Sequence, residues 1–402
     1  GSTQQLACVT GALGRGIHIP PMRLVKWPLQ LVESPHFLKH VLEHVPAEDA
    51  ALGWHDFYGC TVTMRIVSKR YPSPEYVKVQ RLWLEKWSPS DCCSELQDWL
   101  GRTVAMHLAI CGKPAVHRLW LEKWSPADCC PQLQDESGRT VAMRLAEYAS
   151  ADVQRLWLEK WSPAECCPRL QNEVGQSVAI SLAIYGKPDA QRLWLEKWSP
   201  ADCCPQLQAD DGSTVAMCLA RHAKAGAQRL WLKKWSPADC CPELRSNYGC
   251  TVAMKLAQYG SPDVHRLWLE KWSPADCCPQ LQNKGGRTVA MELAENGSAD
   301  VHRLWLKKWS PADCCTQLQD HDGFTMAVYL ARRASPDVLM LWLEKWSPAD
   351  CCTQLQDHDG FTMAMYLARH ASADVLMLWL EKWSPADCCP QLQNKGGRTV
   401  AM

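Results

Sequence analysis

Cysteine is the residue type that offers the most chemistry in this sequence. The chain contains 23 cysteines, and 18 of them form nine vicinal pairs that run from Cys92-Cys93 to Cys388-Cys389. Thiols can form disulfides, bind soft metal ions or act as nucleophiles. Structural zinc sites use paired cysteines that are separated by intervening residues, and adjacent cysteines lack that spacing. The pairs therefore predict no metal site of this kind.

The cysteine pairs recur once in each copy of a repeated unit, so the cysteines of successive pairs should lie in neighbouring packed repeats. Packed helices of neighbouring repeats lie about 8–10 Å apart, whereas a disulfide requires Cα atoms within about 7 Å of each other. A ladder of disulfides between repeats is therefore disfavoured. We expect one cysteine of each pair to be a small core residue and its neighbour to be partly exposed. Metal binding or redox sensing is the alternative.

Histidine offers two further candidate sites. His36, His40 and His44 are spaced for one helical face and could hold zinc, but a solvated helix face is the simpler interpretation. Cys218 and His222 have the i, i+4 spacing of a nucleophile and its base, yet no third group is placed to orient them. We interpret them as a surface pair. The sequence contains no glycine-rich phosphate loop and no nucleophile elbow, so we predict no catalysis, metal or cofactor.

The cysteine pairs belong to a unit that returns every 37 residues. Its first tryptophan recurs at nine positions, and a second tryptophan follows each of them four residues later. The nine positions are Trp83, Trp120, Trp157, Trp194, Trp231, Trp268, Trp305, Trp342 and Trp379. A constant period of this size is typical of a repeat array.

Each unit predicts two longer helices and one short helix. Val116, Leu119, Trp120 and Trp124 fall on one helical stripe with Leu121 outside it, so we expect this helix to be covered on two sides. The polar turn 135–138 precedes a helix of two to three turns. The segment 125–128, Ser-Pro-Ala-Asp, predicts the added short helix, and Ser335-Pro336-Asp337 is a start signal for a second helix.

The turn and the start of the first helix resemble the ankyrin repeat. The residues that carry the resemblance are Asp135, Gly138, Thr140, Val141, Ala142, Met143, Leu145 and Ala146. The resemblance covers residues 59–402 and implies antiparallel helix pairs that bind protein partners. Val-Ala-Met replaces the family's Pro-Leu-His, and the unit is four residues longer than the usual length of about 33. We expect the extra length to form the short helix and to alter the curvature.

These patterns predict an all-α, right-handed helical repeat solenoid. We expect residues 1–78 to form an atypical N-terminal cap, with helices at 27–29 and 37–45 and a degenerate repeat at 46–49 and 59–64. Residues 79–402 should then form about nine repeats, of which the last is incomplete.

Charge and hydropathy narrow the choice of partner. Lys plus Arg and Asp plus Glu are equal, at 43 each, and the isoelectric point is near 7.2. This balance disfavours nucleic acid and anionic membranes as the main partner. No apolar run approaches the length that a bilayer requires. A modular nucleic-acid binder stays as the alternative function, which a steep dependence of affinity on salt would favour.

The positions that change between repeats predict a binding surface for a protein partner. Arg144, Glu147 and Tyr148 have the i, i+3 and i+4 spacing of one helix face, and a fourth changing position lies in the preceding turn. Stacking should align these positions into one continuous surface. The predicted partner-binding residues are Phe324, Tyr329, Arg332, Arg333, Phe361, Tyr366, Arg369, His370, Arg287, Glu292, Arg139, Arg144 and Tyr148.

The units that begin at Gly323 and Gly360 carry the richest set of arginine and aromatic residues at these positions. Such side chains contribute most of the energy of many interfaces. We therefore expect the strongest contacts there. The alternative is that Phe324 and Phe361 pack on each other and reflect a recent duplication.

Recent copying within the chain is evident, because residues 277–291 and 388–402 are identical over fifteen positions. Copied cassettes with changes confined to one surface suit a scaffold or adaptor, and such chains resemble host-directed effectors of pathogens. We predict an intracellular reducing compartment, cytoplasm or nucleus, with host cytoplasm expected for an effector.

Overall fold

The computed structural model describes residues 34–44, 58–68, 73–92 and 94–400. The chain divides into two compact units, Gly1–Cys204 and Pro205–Met402. Each unit is a stack of ankyrin-like helix pairs. Within the described ranges the only β pairing consists of two isolated bridges, Gln208 with Thr214 and Gln356 with Thr362. The predicted all-α repeat fold is thus confirmed.

The described part of the first unit contains nine α-helices. They are α1 (Pro35–His44), α2 (Val62–Val67), α3 (Pro74–Lys86), α4 (Val104–Cys111), α5 (Pro114–Lys123), α6 (Val141–Tyr148), α7 (Ala151–Lys160), α8 (Val178–Tyr185) and α9 (Pro188–Lys197). The first helices of successive repeats, α2, α4, α6 and α8, pack in one row, and the second helices, α3, α5, α7 and α9, pack in another.

The second unit repeats this arrangement with ten α-helices among its described residues. They are α10 (Val215–His222), α11 (Ala225–Lys234), α12 (Val252–Tyr259), α13 (Pro262–Lys271), α14 (Val289–Asn296), α15 (Ala299–Lys308), α16 (Met326–Arg333), α17 (Pro336–Lys345), α18 (Met363–His370) and α19 (Ala373–Lys382). The even-numbered first helices form one row, and the odd-numbered second helices form the other.

The start of each first helix is determined by local sequence. The side chain of Thr140 accepts a hydrogen bond from the Met143 N–H at 3.3 Å, which satisfies one of the unpaired amides of the first helical turn. Gly138 has φ 70°, and a Cβ at this position would lie 2.9 Å from the Cα of Asn172 in the next turn. Glycine is therefore required here by its conformation and by the close approach of the neighbouring repeat.

The second helix differs from its predicted stripe. Helix α5 ends at Lys123, and Trp124 follows it as a C-cap with an extended backbone. The Trp124 indole therefore leaves the helical stripe and packs on Trp83 of the preceding repeat, with ring centroids 6.0 Å apart. Leu121 is fully buried, whereas Leu119 is only half-buried. The predicted single stripe was wrong at two positions: Leu119 is only half-buried, and Trp124, although buried, leaves the helical stripe because the chain turns at the helix end.

Buried polar side chains connect the two helices of a repeat. Gln154 on α7 donates a hydrogen bond to the backbone carbonyl of Ala146 at 2.7 Å. His117 occupies the equivalent position on α5, and its Nε2 donates to the carbonyl of Leu108 at 2.7 Å. Burial lowers the pKa of His117, so the ring is neutral at pH 7. These bonds satisfy carbonyls at the ends of the first helices.

Lysine side chains connect successive second helices. Lys160 donates from Nζ to the carbonyl of Leu121 at 2.6 Å, and Lys197 donates to the carbonyl of Leu158 at 2.7 Å. Each ammonium group thus lies at the negative end of the preceding helix, where a cation is favoured.

The predicted short helix is confirmed as a 3-10 helix at Ala127–Cys129. The backbone N–H of Ser125 donates to the carboxylate of Asp128 at 2.8 Å and closes the turn that leads into it. Cys129 is buried, and Cys130 ends the helix in the left-handed conformation with φ 47°. In six of the eight described pairs the second cysteine is half-buried, as predicted, whereas Cys130 and Cys204 are buried. Cys129, Cys166 and Cys240 are free thiols, as are the described second cysteines of the pairs from Cys130 to Cys389.

Native-state thiol labelling should separate the two cysteines of a pair. Burial raises the pKa of Cys129 and Cys240 above the usual range, and the adjacent carboxylates of Asp128 and Asp239 add to the rise. Burial raises the pKa of Cys241 as well, but its thiol is only half-buried, whereas those of Cys129 and Cys240 are almost fully buried. Alkylation of Cys129 and Cys240 should therefore be much slower than alkylation of Cys241. Peptide mass spectrometry after brief alkylation measures the ratio.

Denatured protein, in which all cysteines react, provides the control for this labelling. Circular dichroism in reductant should show unchanged helical signal. Equal labelling of both positions in the native protein, or a large loss of helix in reductant, would contradict the assignment.

The described part of the N-terminal region contains α1, which packs on α3, and α2. Gly59 has φ 71° and Thr61 caps α2, as in the later repeats, and the degenerate repeat at 59–64 stays a prediction. The predicted helix at 37–45 is found as Pro35–His44. The predictions at 27–29 and 46–49 lie outside the described residues, and the cap boundary at residue 78 stays a prediction.

The three histidines of α1 occupy a largely solvated face. His36 and His44 are exposed, and His40 is half-buried with its ring stacked on that of His44 at 4.2 Å. Burial and the neighbouring His44 lower the pKa of His40. Among the described residues, no group of three or more His, Cys, Asp or Glu side chains could hold a metal ion.

Candidate functional site

The changing positions lie on the turn and first helix of each repeat, and the turn is built around an acidic or amide side chain. In the unit that begins at Gly323, Asp320 Oδ1 accepts hydrogen bonds from the backbone N–H groups of Asp322 at 3.0 Å and Phe324 at 2.8 Å. Gly323 has φ 83° and donates its N–H to the carbonyl of Asp320. This closed turn lies directly before the first helix.

In the repeats from His107 to Tyr366, the first of the three changing helix positions is buried in six of eight cases and half-buried at Lys255 and Tyr366. Arg144, Glu292 and Tyr329 all occupy this position, and their exposed fractions are only 4%, 3% and 6%. The predicted exposure of these three residues was wrong. The reason is that the turn folds back over the first helix, so the side chain at this position lies beneath the turn.

The buried position is matched to the turn residue nine places before it. Asp320 Oδ2 accepts a hydrogen bond from the Tyr329 hydroxyl at 2.6 Å, and Asp357 accepts one from Tyr366 at the same distance. In the compact unit 1–204, the equivalent pairs are Asp98 with His107 at 2.9 Å and Asp135 with Arg144 Nε at 3.0 Å. In these four repeats, which carry Asp nine residues before the helix position, the helix supplies a donor.

In the remaining repeats, the turn residue and the helix residue nine positions after it both differ from these Asp–donor pairs. Their turn and helix residues are Asn172 with Ser181, Ala209 with Cys218, Ser246 with Lys255, and Asn283 with Glu292. The residue at this helix position therefore changes together with the turn residue of the same repeat. Its variation does not by itself indicate contact with a binding partner. Sequence reasoning missed this pairing, although the joint change of positions nine residues apart was a visible signal.

Arg287 and Glu292 form an internal ion-pair network. Arg287 Nε lies 3.3 Å from Glu292, its Nη2 pairs with Glu295, and its guanidinium lies 4.8 Å from the Tyr329 ring centroid. Burial raises the pKa of Glu292, and the Arg287 charge opposes this rise. Arg287 and Glu292 were predicted to contact a partner, but their charged groups are engaged within the repeat stack.

Arg139 in the first unit is engaged in the same way. It pairs with Glu147 at 3.2 Å, and Arg144 also lies 3.8 Å from Glu147. Tyr148 is different, because 38% of its surface is exposed. Among these predicted binding residues, Tyr148 is therefore the one whose side chain is available to a partner.

Cys218 is buried, so the interpretation of Cys218 and His222 as a surface pair was wrong for the cysteine. Burial raises the pKa of the Cys218 thiol to about 12, with a contribution from Asp211. His222 is exposed, and partial burial together with Arg221 and Lys255 lowers its pKa. A thiol with so high a pKa supplies no appreciable nucleophile at pH 7.

The second and third changing positions are the exposed ones in the last two complete first helices. Arg332 and Arg333 on α16 and Arg369 and His370 on α18 are exposed. Together with Tyr366, these four residues line a pocket of about 350 Å³. The structure therefore brings together five of the predicted partner-binding residues at one place.

The aromatic rings of Phe324, Tyr329 and Phe361 pack next to this pocket, and two of them contact Tyr366, which lines it. The Phe324 ring packs edge-on against Tyr329 at 5.7 Å and against Tyr366 at 6.0 Å, and Phe361 packs on Tyr366 at 5.5 Å between centroids. Each phenylalanine thus packs on tyrosine, whereas the alternative expected Phe324 and Phe361 to pack on each other. Both phenylalanines are half-buried. Their contacts with the Tyr366 ring help to hold that ring in place.

The electrostatics of the pocket are strongly positive. The guanidinium of Arg332 lies 4.8 Å from the Phe324 centroid and 5.6 Å from that of Tyr366, in cation–π geometry. His370 stacks on Tyr366 at 6.2 Å, and partial burial together with Arg369 and Arg332 lowers the pKa of His370. Arginine-lined sites of this kind bind oxyanions through paired hydrogen bonds.

No family model matches the sequence, and no curated protein matches it. Among solved structures, the chain is similar to the ankyrin repeat domain of Bcl-3, a member of the IkappaB protein family. The identity is 16% and the TM-score 0.42, covering 60% of this chain and 99% of that chain. It is also similar to the structure of the predatory endopeptidase Bd0816 from Bdellovibrio bacteriovorus in complex with the immunity protein Bd3460. There the identity is 21% and the TM-score 0.35, covering 51% of this chain and 97% of that chain.

Proposed function

We propose that this chain is a non-catalytic protein-binding repeat module, a scaffold or adaptor that contacts its partner through the exposed second and third changing positions. The observation that carries the proposal is the convergence of Arg332, Arg333, Arg369 and His370 in one pocket beside Tyr366. Arginine and tyrosine contribute most of the binding energy at many protein interfaces, because they combine large contact areas with several hydrogen bonds.

The burial of the cysteines supports a role without catalysis. Cys129, Cys166 and Cys240 are buried in their repeats, and burial raises the pKa of each thiol. Side chains of this kind fill the core and are poor nucleophiles. We also propose an intracellular reducing compartment, which the free thiols of Cys129, Cys166 and Cys240 would suit. The role of a host-directed effector stays a prediction from the copied cassettes.

A modular nucleic-acid binder remains the second candidate, because the pocket combines arginines with an aromatic ring. The balanced formal charge of the chain argues against it. None of the described helices has both the length and the apolar character that would let it cross a bilayer.

Capture experiments test the proposal. The wild-type chain and the double variant Arg333→Ala, Arg369→Ala are immobilised and exposed to nuclease-treated cell lysate, and retained proteins are quantified by mass spectrometry. We expect the variant to retain at least about tenfold less of the specific partner, because each lost charged hydrogen bond contributes about 1.5–3 kcal/mol.

The matched control is the double variant Arg192→Ala, Arg266→Ala. These two arginines are exposed on the second helices, so their loss changes the net charge equally without touching the pocket. Circular dichroism confirms folding of all three proteins. Equal capture by both double variants would refute the assigned surface. Capture from a parallel, untreated lysate that is absent from the nuclease-treated lysate would favour nucleic acid.

A further inference from the structure

We propose that the pocket formed by Arg332, Arg333, Tyr366, Arg369 and His370 recognises a phosphorylated side chain in a protein partner. This inference rests on the proposed protein-binding function and names the chemistry of its partner. The geometry points to it because exposed guanidinium groups from two successive first helices, α16 and α18, converge on one pocket.

The charge of the pocket matches a phosphoryl group better than a single carboxylate. Arg332, Arg333 and Arg369 supply three permanent positive charges, and Glu295, 3.9 Å from Arg333, partly offsets one of them. His370 contributes little charge at neutral pH, because partial burial and the adjacent arginines lower its pKa. Between two and three positive charges therefore remain, enough to match a phosphorylated residue, which carries about −1.5 to −2 at pH 7.

Two further acidic residues whose charges act on Tyr366, Asp357 and Asp359, are already engaged. Asp357 accepts the Tyr366 hydroxyl at 2.6 Å, and it also accepts the backbone N–H groups of Asp359 and Phe361 at 2.8 Å. Asp359 lies 3.7 Å from the ammonium group of Lys395. Among the described residues, no carboxylate lies within ion-pair distance of Arg332 or Arg369. These two guanidinium groups are therefore available to an external anion.

Arg332 is held in position before any ligand arrives. Its guanidinium stacks over Phe324 and Tyr366, and the Tyr366 ring is fixed in turn by its hydrogen bond to Asp357. Burial and the Asp357 acceptor raise the pKa of Tyr366, so the hydroxyl keeps its proton and continues to donate. A guanidinium fixed on an aromatic support loses less conformational freedom when it binds an oxyanion.

The limited extent of the positive surface favours a protein segment over nucleic acid. In the two preceding repeats, the equivalent positions are Gln258 with Tyr259 and Glu295 with Asn296. Nucleic-acid backbones bind along a continuous basic stripe, because each phosphate requires its own neutralising charge. A single phosphoryl group on a peptide requires only the one pocket observed.

Degenerate peptide libraries provide the test. Libraries with a fixed central phosphoserine, phosphothreonine or phosphotyrosine are compared with libraries that carry glutamate or the unmodified residue at that position. We expect the intact chain to enrich at least one phosphorylated library about tenfold over both others, since a phosphoryl group offers more charge and more acceptors. Arg369→Ala should abolish the enrichment, and Arg266→Ala should leave it unchanged.

Three results would overturn this inference. They are equal enrichment of the glutamate library, no enrichment of any phosphorylated library, and stronger Arg369-dependent binding of single-stranded DNA than of phosphopeptides. Capture from phosphatase-treated lysate separates this inference from the broader function. We expect phosphatase treatment of the lysate to abolish the Arg369-dependent capture. If this capture persists, the chain still binds protein at this surface, but the inference of phosphoryl recognition is wrong.

Discussion

Replacing Trp231 with alanine should lower the free energy of unfolding by about 3–5 kcal/mol, because the large indole is fully buried and the space it leaves cannot be refilled. Trp231 lies on α11 and packs edge-on against Trp235, with ring centroids 6.4 Å apart. Since each repeat is stabilised by its neighbours, the loss should also open the next second helix, α13, which packs on α11.

Urea denaturation and hydrogen exchange measure the two parts of this result. Urea denaturation gives the free energy of unfolding, and exchange of the amides of Pro262–Lys271 reports the spread to α13. Lys233→Ala is the matched control, because this residue lies two positions away on the same helix with its side chain exposed. Its effect should stay within about 0.5 kcal/mol. An unfolding curve for Trp231→Ala that overlays that of Lys233→Ala would contradict the role of the tryptophans as the repeat core.

Replacing Asp135 with asparagine should cost about 3 kcal/mol, because it leaves the buried Arg144 guanidinium without its main counter-charge. The asparagine oxygen can still accept the backbone N–H groups of Ser137 and Arg139, each 3.0 Å from Asp135 Oδ1, so the turn itself should persist. Glu147 lies 3.8 Å from Arg144 and offsets only part of the lost attraction.

The neighbouring repeat supplies the compensating change. Asn172 and Ser181 occupy the two equivalent positions there, and Asn172 Oδ1 accepts the N–H groups of Val174 at 3.1 Å and Gln176 at 2.8 Å. The double variant Asp135→Asn, Arg144→Ser copies this pair and removes the unpaired charge. It should recover more than half of the lost stability in urea denaturation. If the single and double variants are equally unstable, the two positions are not coupled.

Much of each repeat could be predicted from short-range sequence. The 37-residue period, the threonine caps, Gly138 in a left-handed turn and the Ser-Pro-Ala-Asp segment are local signals, and the helices and the 3-10 helix lie where these signals place them. Local signals suffice because caps and turns are determined by residues within four positions of each other. The burial of the first tryptophan also followed from the period, since a repeated apolar face must be covered by its neighbours.

The site could be predicted only in part, and the reason is geometric. A spacing of i, i+3 and i+4 assigns Arg144, Glu147 and Tyr148 to one helix face, but it cannot show that the preceding turn covers the first of them. The same limit applies to Trp124, whose extended backbone takes it from the helix onto Trp83.

The sequence by itself therefore determined the helices, the repeat and the set of positions that vary. Only the tertiary structure decided which of those positions face a partner. In the four repeats whose turn carries Asp98, Asp135, Asp320 or Asp357, that carboxylate accepts a hydrogen bond from the helix that follows, which buries the first changing position fully or, at Tyr366, in part. In the last two complete pairs, stacking then brings Arg332, Arg333, Arg369 and His370 together, because residues 37 positions apart lie side by side in the row of first helices.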